Sequence, residues 1–191
     1  MAEFGEIGPF DSEALGAVKP YVDFGSIRIE PRQDVSISVE IDQQSGRVLF
    51  ITLDCNGSKL QLMAIAAPKS DGIWTEVRHS IAERIRQQGG ACEETVGALG
   101  VQLDAKLPLI DEEGRPSGYR IARFVGFDGP RWCLRGEIGG AALGDFRSEN
   151  EIVDLFRSVI VHRGDEPLPP NEPLPLKVPT GSVVPPGVKQ A

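Results

Sequence analysis

The spacing of apolar residues changes three times along the chain, and that alone confines it to a mixed sheet-and-helix fold. Val35, Ile37, Val39 and Ile41 alternate with Ser36, Ser38 and Glu40, as in a half-buried strand. Arg47–Asp54 and Lys59–Ala66 read as the next two strands, joined through the hairpin signal Asn56-Gly57 and stopped by Pro68. Gln43-Gln44-Ser45-Gly46 is the turn before them, and Ser26–Glu30, closed by Pro31, is a short strand ahead. The period then shifts. Trp74, Val77, Ile81 and Ile85 fall on one helical face, with Glu76, Arg78, Glu83, Arg84 and Arg86 mostly off it. A helix is expected over 71–88, with Asp71 as N-cap and Gly89-Gly90 as terminator. Alternation returns in Cys92–Val96 and in Val101–Leu107, which Pro108 closes. Tyr119–Phe127 and Arg131–Ile138 form a hairpin around Asp128-Gly129-Pro130. A second helix opens at Ser148, where Ser148 and Glu151 fit a capping box, and runs through Ile152, Leu155, Phe156 and Val159 until Gly164 stops it.

Hairpin-length connections make the sheet mainly antiparallel, and two one-faced helices must cover it. The expected fold is α+β: a mainly antiparallel sheet flanked by two helices, similar in element order to PsbP-like domains, with a Pro-rich C-terminal tail. Of the 15 prolines, eight lie between Pro167 and Pro186, so Asp165–Leu176 can continue neither a helix nor a central strand. This stretch reads as polyproline-II-like, with Leu168, Leu174 and Leu176 either docked on the chain's own surface or offered to a partner's groove. Three regions follow. Residues 1–24 are an acidic arm with a weak helical turn around Ser12–Val18. Residues 25–164 are a single α+β domain. Residues 165–191 are the tail, expected to be disordered after about 179.

The 191 residues carry a net charge of −8, half of it in residues 1–24, which argues against general nucleic-acid binding. No apolar run approaches the ~20 residues of a membrane span. The start, Met1 to Glu6, lacks the basic-then-apolar layout of a signal peptide, so a cytoplasmic protein with reduced Cys55, Cys92 and Cys133 is expected. Two histidines and three cysteines are too few for a zinc or iron–sulfur site, and His79 with Glu83 supplies at most two ligands. No cofactor or metal is expected. No G-x-S-x-G, P-loop or H-E-x-x-H run appears, and Gly136-Glu137-Ile138-Gly139-Gly140 lacks dinucleotide-binding spacing. Asp111-Glu112-Glu113 and Glu93-Glu94 read as solvated charge, and His162 as a cation at the end of the second helix. No catalytic residue is nominated.

One cluster stands out. Arg120, Arg123, Arg131 and Arg135 lie on a single hairpin around Trp132. Arg131 and Arg135 share a face by alternation, whereas Arg120 and Arg123 point to opposite faces, so at most three of the four line one surface. They either hold a carboxylate, a phosphate or an acidic partner segment, or they pair across strands with Asp104, Asp128 or Glu137.

Ala66–Arg78, Arg123–Gly136 and Val161–Pro167 with Leu174-Pro175-Leu176 resemble, in that order, three blocks of an actinobacterial family known only as a domain of unknown function, series number 3710. The resemblance runs from about Gly8 to Pro179. It implies a cytoplasmic protein and brings no activity or catalytic residue. The residues themselves point to a non-enzymatic protein-binding or adaptor module. It would offer the hairpin (Arg120, Arg123, Arg131, Trp132, Arg135), the tail (Leu168, Leu174, Leu176), or both, to another protein. The alternative is a binder of, or an enzyme acting on, a small anionic ligand held by the hairpin arginines.

Overall fold

The computed structural model describes residues 7–15 and 20–180. The first six residues of the acidic arm, much of the turn expected at Ser12–Val18, and residues 181–191 of the tail lie outside the described residues. In chain order the strands are β1 (Phe10–Asp11), β2 (Val22–Asp23), β3 (Ile27–Ile29), β4 (Val35–Ile41), β5 (Val48–Cys55), β6 (Ser58–Ala66), β7 (Ala91–Gly97), β8 (Gly100–Ile110), β9 (Pro116–Gly129), β10 (Trp132–Gly140) and β11 (Ile160–Val161). The helices are α1 (Trp74–Gln87) and α2 (Phe146–Ser158). Seven strands form one antiparallel sheet in the order β4-β5-β6-β10-β9-β8-β7. A small second sheet, β1-β11-β3-β2, contains one parallel pair, β1 with β11.

Alternation divides the large sheet between two cores. Ile51, Leu53, Leu60, Leu62, Val125, Trp132 and Leu134 face α2, whose stripe of Ile152, Leu155 and Phe156 is fully buried against them. Leu103, Ala105, Ala122, Phe124 and Cys133 face α1 and pack with Trp74, Ile81 and Ile85. The β9–β10 hairpin therefore contributes to both cores. Gly126 makes this possible, because the Trp74 ring occupies the space a Cβ there would need. The Trp74 Nε1 donates to the Val101 carbonyl at 2.8 Å, satisfying the ring's only polar group.

Both helix starts differ from expectation. Asp71 does not cap α1. Asp128, at the end of β9, accepts from the backbone N–H of Ile73 (2.9 Å) and Trp74 (3.0 Å). On α2 the cap is Asp145 rather than Ser148, and Ser148 donates to it through its N–H (2.8 Å) and its hydroxyl (2.7 Å). That helix also stops at Ser158 instead of running to Gly164, because Val159 turns extended and the β-branched Ile160 and Val161 enter the small sheet. His162 consequently follows a strand, not a helix end. Arg78 is buried on α1, where its Nε donates to Glu94 Oε1 at 2.7 Å. Pro108 does not close its strand. β7 stops pairing with β8 at Lys106, so Pro108 lies where one flank of β8 is open and its missing N–H breaks no ladder there.

The proline segment is built into the molecule. β5 and β6 stop pairing beyond Ile51–Leu62, and the tail enters the mouth between them. Asn171 N–H donates to the Ala66 carbonyl (2.9 Å), Ala66 N–H to Glu172 (2.8 Å), and Leu174 N–H to Ala64 (2.8 Å). Leu176 bridges Val48 and Gly25, and Lys177 N–H donates to Phe24 at 2.9 Å. Every tail donor belongs to a non-proline residue, so the prolines fall where the pairing needs no N–H. Leu174 is 2% exposed within the main core.

Leu174→Ala should lower unfolding stability by about 2–5 kcal/mol in urea denaturation, since a large buried side chain leaves a cavity. A cost under about 0.5 kcal/mol, typical of a surface position, would show that the tail is not docked in solution. A second prediction concerns acid. The Ser148 hydroxyl and N–H hold the Asp145 carboxyl below its ordinary 3.8. Its stabilising contribution is present above that value and is lost as pH falls through the lower folded-state pKa. Asp145→Asn keeps a good cap, so the midpoint at neutral pH should barely move while the acid-side loss of stability becomes shallower. An unchanged acid limb would contradict this.

Candidate functional site

The hairpin arginines do not converge. Arg120 donates to Glu137 at 2.6 Å on the α1 side of the sheet. Arg135 lies on the same side, over the Phe124 ring (5.3 Å to its centre) and 3.9 Å from Glu137. Burial pushes the Arg135 pKa down, and the Glu137 charge opposes that shift. Arg123 is on the other side, where it joins Asp104 of β8 (2.6 Å) to Glu149 of α2 (2.7 Å). Arg131 is not on a strand. It sits in the turn with φ 61°, so it does not share a strand face with Arg135. Its carbonyl accepts from Ala67 N–H (3.0 Å) and Arg163 Nε (3.2 Å). Asp128 caps α1 and pairs with no arginine.

The other nominated residues pack against the core. Trp132 is fully buried, and its Nε1 donates to Asp11 Oδ2 at 2.5 Å, fastening β1 to the hairpin. Leu168 and Leu176 pack half-buried against the same core as Leu174. The three cysteines are free. Burial pushes the Cys55 and Cys133 thiols up, away from the nucleophilic thiolate. His79 Nε2 lies 3.4 Å from Glu94, which also holds Arg78. Among the described residues no three His, Cys, Asp or Glu side chains gather as metal ligands would, and no helix is long and apolar enough to cross a membrane.

Two unassigned features remain. The first is a ribbon. β10 stops pairing with β9 at Arg123 and β7 stops pairing with β8 at Lys106, so β8 and β9 run on as two strands to Ile110 and Pro116. Ile110, Tyr119 and Ile121 there are more than half exposed. Register places Lys106, Pro108, Tyr119 and Ile121 on one face, and the Lys106 ammonium stands 4.6 Å over the Tyr119 ring. The second is a cavity of about 320 Å³ between the small sheet and the entry to the tail, lined in part by Ser26, Arg28, His162 and Arg163. Sequence reading passed over both. The apolar residues beside the Asp111–Gly114 loop were the available signal for the ribbon. The cavity had none, because its walls come from segments more than 130 residues apart.

A family model described as a protein of unknown function (DUF3710) matches residues 8–183. No curated protein matches the chain, and no solved structure matches it, so the likeness in element order to PsbP-like domains carries no further argument.

The two exposed-to-buried extremes of the arginine cluster should separate by mutation. Arg123→Ala leaves Asp104 and Glu149 without their cation in a half-buried setting and should cost about 1–3 kcal/mol. Arg120→Ala removes a half-exposed cation from a carboxylate, Glu137, that keeps Arg135 at 3.9 Å, and should stay within about 0.5 kcal/mol. Equal costs in paired denaturation curves would contradict this division.

Proposed function

The chain belongs to the DUF3710 family, and we propose that it is a cytoplasmic, non-enzymatic protein-binding module. The contact is made by the far end of the hairpin and the strand beside it. The observation that carries this reading is the exposed apolar ribbon of Ile110, Tyr119 and Ile121. A two-stranded ribbon is only marginally stable in water by itself, and large exposed apolar residues grouped together mark interaction surfaces. Beyond Arg123 the β10 flank of β9 is unpaired, leaving a short strand edge that an extended segment can join. The occupant is an extended segment of another protein, apolar at alternate positions, with a carboxylate placed to meet Lys106. The three free thiols suit a reducing compartment. The arginines of the hairpin then support the platform, and Arg120 alone of the paired ones is exposed enough to reach a partner.

The test is crosslinking capture from a native-type extract with the full chain, the double variant Tyr119→Glu plus Ile121→Glu, and an Arg84→Glu control. A partner crosslinked to the ribbon, lost with the double variant and kept with the control, is expected. Partners that the double variant retains would overturn the reading. Self-association of the purified chain that the double variant abolishes would instead identify a second copy as the occupant.

A further inference from the structure

The cavity beside the tail carries a second, independent reading. Its floor is the outer face of the small sheet. Arg28 of β3 stands between Asp23 of β2 and Ile160 of β11, with Ser26 and His162 beside it. Its walls are the segment after β11, with Arg163, and the tail at Pro175 and Lys177.

Not every charge there has an ion-pair partner among the described residues. Lys177 is tied to Asp23 at 3.2 Å. Arg28 acts on Asp23 through space, but among the described residues its guanidinium has no carboxylate within ion-pair distance. Arg163 donates to the carbonyls of Arg131 (3.2 Å) and Glu166 (3.0 Å), and among the described residues it has no carboxylate within ion-pair distance. His162 has Nδ1 2.8 Å from the Ser12 hydroxyl. When that hydroxyl donates, the proton resides on Nε2, which is then a donor. Ser26 is buried at 4% exposure, and its hydroxyl is the one buried side-chain polar atom among the described residues without a hydrogen-bond partner. Burying an unpaired hydroxyl costs about 1–3 kcal/mol, which is why such groups usually have a partner.

We propose that this cavity binds a small phosphate-bearing molecule. Two guanidinium groups without an ion-pair carboxylate match a phosphate monoester of roughly −2 charge better than a carboxylate of single charge. Its oxygens can accept from the Arg28 guanidinium, from Arg163 beyond the Nε and Nη1 donors already engaged, and from His162 Nε2 in that tautomer, all on residues that line the cavity. A volume of about 320 Å³ suits a small metabolite. Because Arg163, Pro175 and Lys177 form the walls, a bound ligand clamps the tail onto the small sheet.

The experiment is an amide NMR titration of the full chain with inorganic phosphate and then glycerol 3-phosphate, at constant ionic strength, with acetate as the carboxylate comparison. Saturable shifts should concentrate at Gly25–Arg28 and His162–Asp165. Arg28→Gln and Arg163→Gln should each weaken binding on the order of tenfold, while Arg120→Gln leaves it unchanged. The variants' remaining amide positions report whether they are folded, and Arg163→Gln decides alone if Arg28→Gln is not. Non-saturable shifts, equal binding of acetate, shifts centred on the hairpin arginines, or undiminished affinity in the folded variants would each overturn the proposal. None of these outcomes bears on the ribbon, so the two readings fail separately.

Discussion

The β9–β10 hairpin is packed on both faces, and its polar groups are committed to holding what covers it. Asp128 caps α1. Arg123 ties α2 to β8. The Trp132 indole holds β1, and the Arg131 carbonyl holds both the end of β6 and the segment leading into the tail. A strand pair buried on both sides must be apolar at both parities, as Ala122 and Phe124 on one face and Val125 on the other show. On the packed faces of this hairpin a carboxylate meets the arginine, as at Arg123 and Arg135. Its residue types suggest a binding surface, while their partners make most of it a scaffold.

The tail follows from the same constraint. The sheet opens beyond Ile51–Leu62, where β5 stays paired with β4 alone and β6 with β10. The exposed backbone of Ala64–Ala66 then needs partners, and Asn171–Leu174 supplies them. A proline-rich strand suits this place because its bonding N–H groups belong to Asn171, Leu174 and Lys177, so its prolines break no required bond. With the tail docked, the proposed contacts fall on the ribbon at the end of β8 and β9 and on the cavity at the tail's entry.

Much of this was legible locally. The α1 stripe, the Asn56-Gly57 turn and the alternation of β4 depend on neighbouring residues, and each appears where the pattern puts it. The errors arose where a distant residue took a local role. Asp71 is a good capping residue by type, yet Asp128 arrives from 54 residues away and occupies the position. Ile160 and Val161 extend the apolar stripe of α2, and only the small sheet, assembled with β1 and β3, draws them out of the helix. Pairing of Arg120 with Glu137 and of Arg123 with Asp104 was among the cross-strand alternatives. The third member, Glu149, comes from a helix whose docking no strand pattern encodes. The cavity was invisible for the same reason: β2, β3, β11 and the tail meet there, and no single segment carries its signature.

Native-state hydrogen exchange at individual amides tests the central claim, that the C-terminal segment is part of the sheet and the free strand edge lies elsewhere. The account predicts slow exchange at Ala66, Asn171 and Leu174, comparable to the β6–β10 ladder, and fast exchange at the β9 amides before Arg123 that face the unpaired flank. Tail amides exchanging as fast as a solvated loop, while the β6–β10 ladder stays protected, would contradict it.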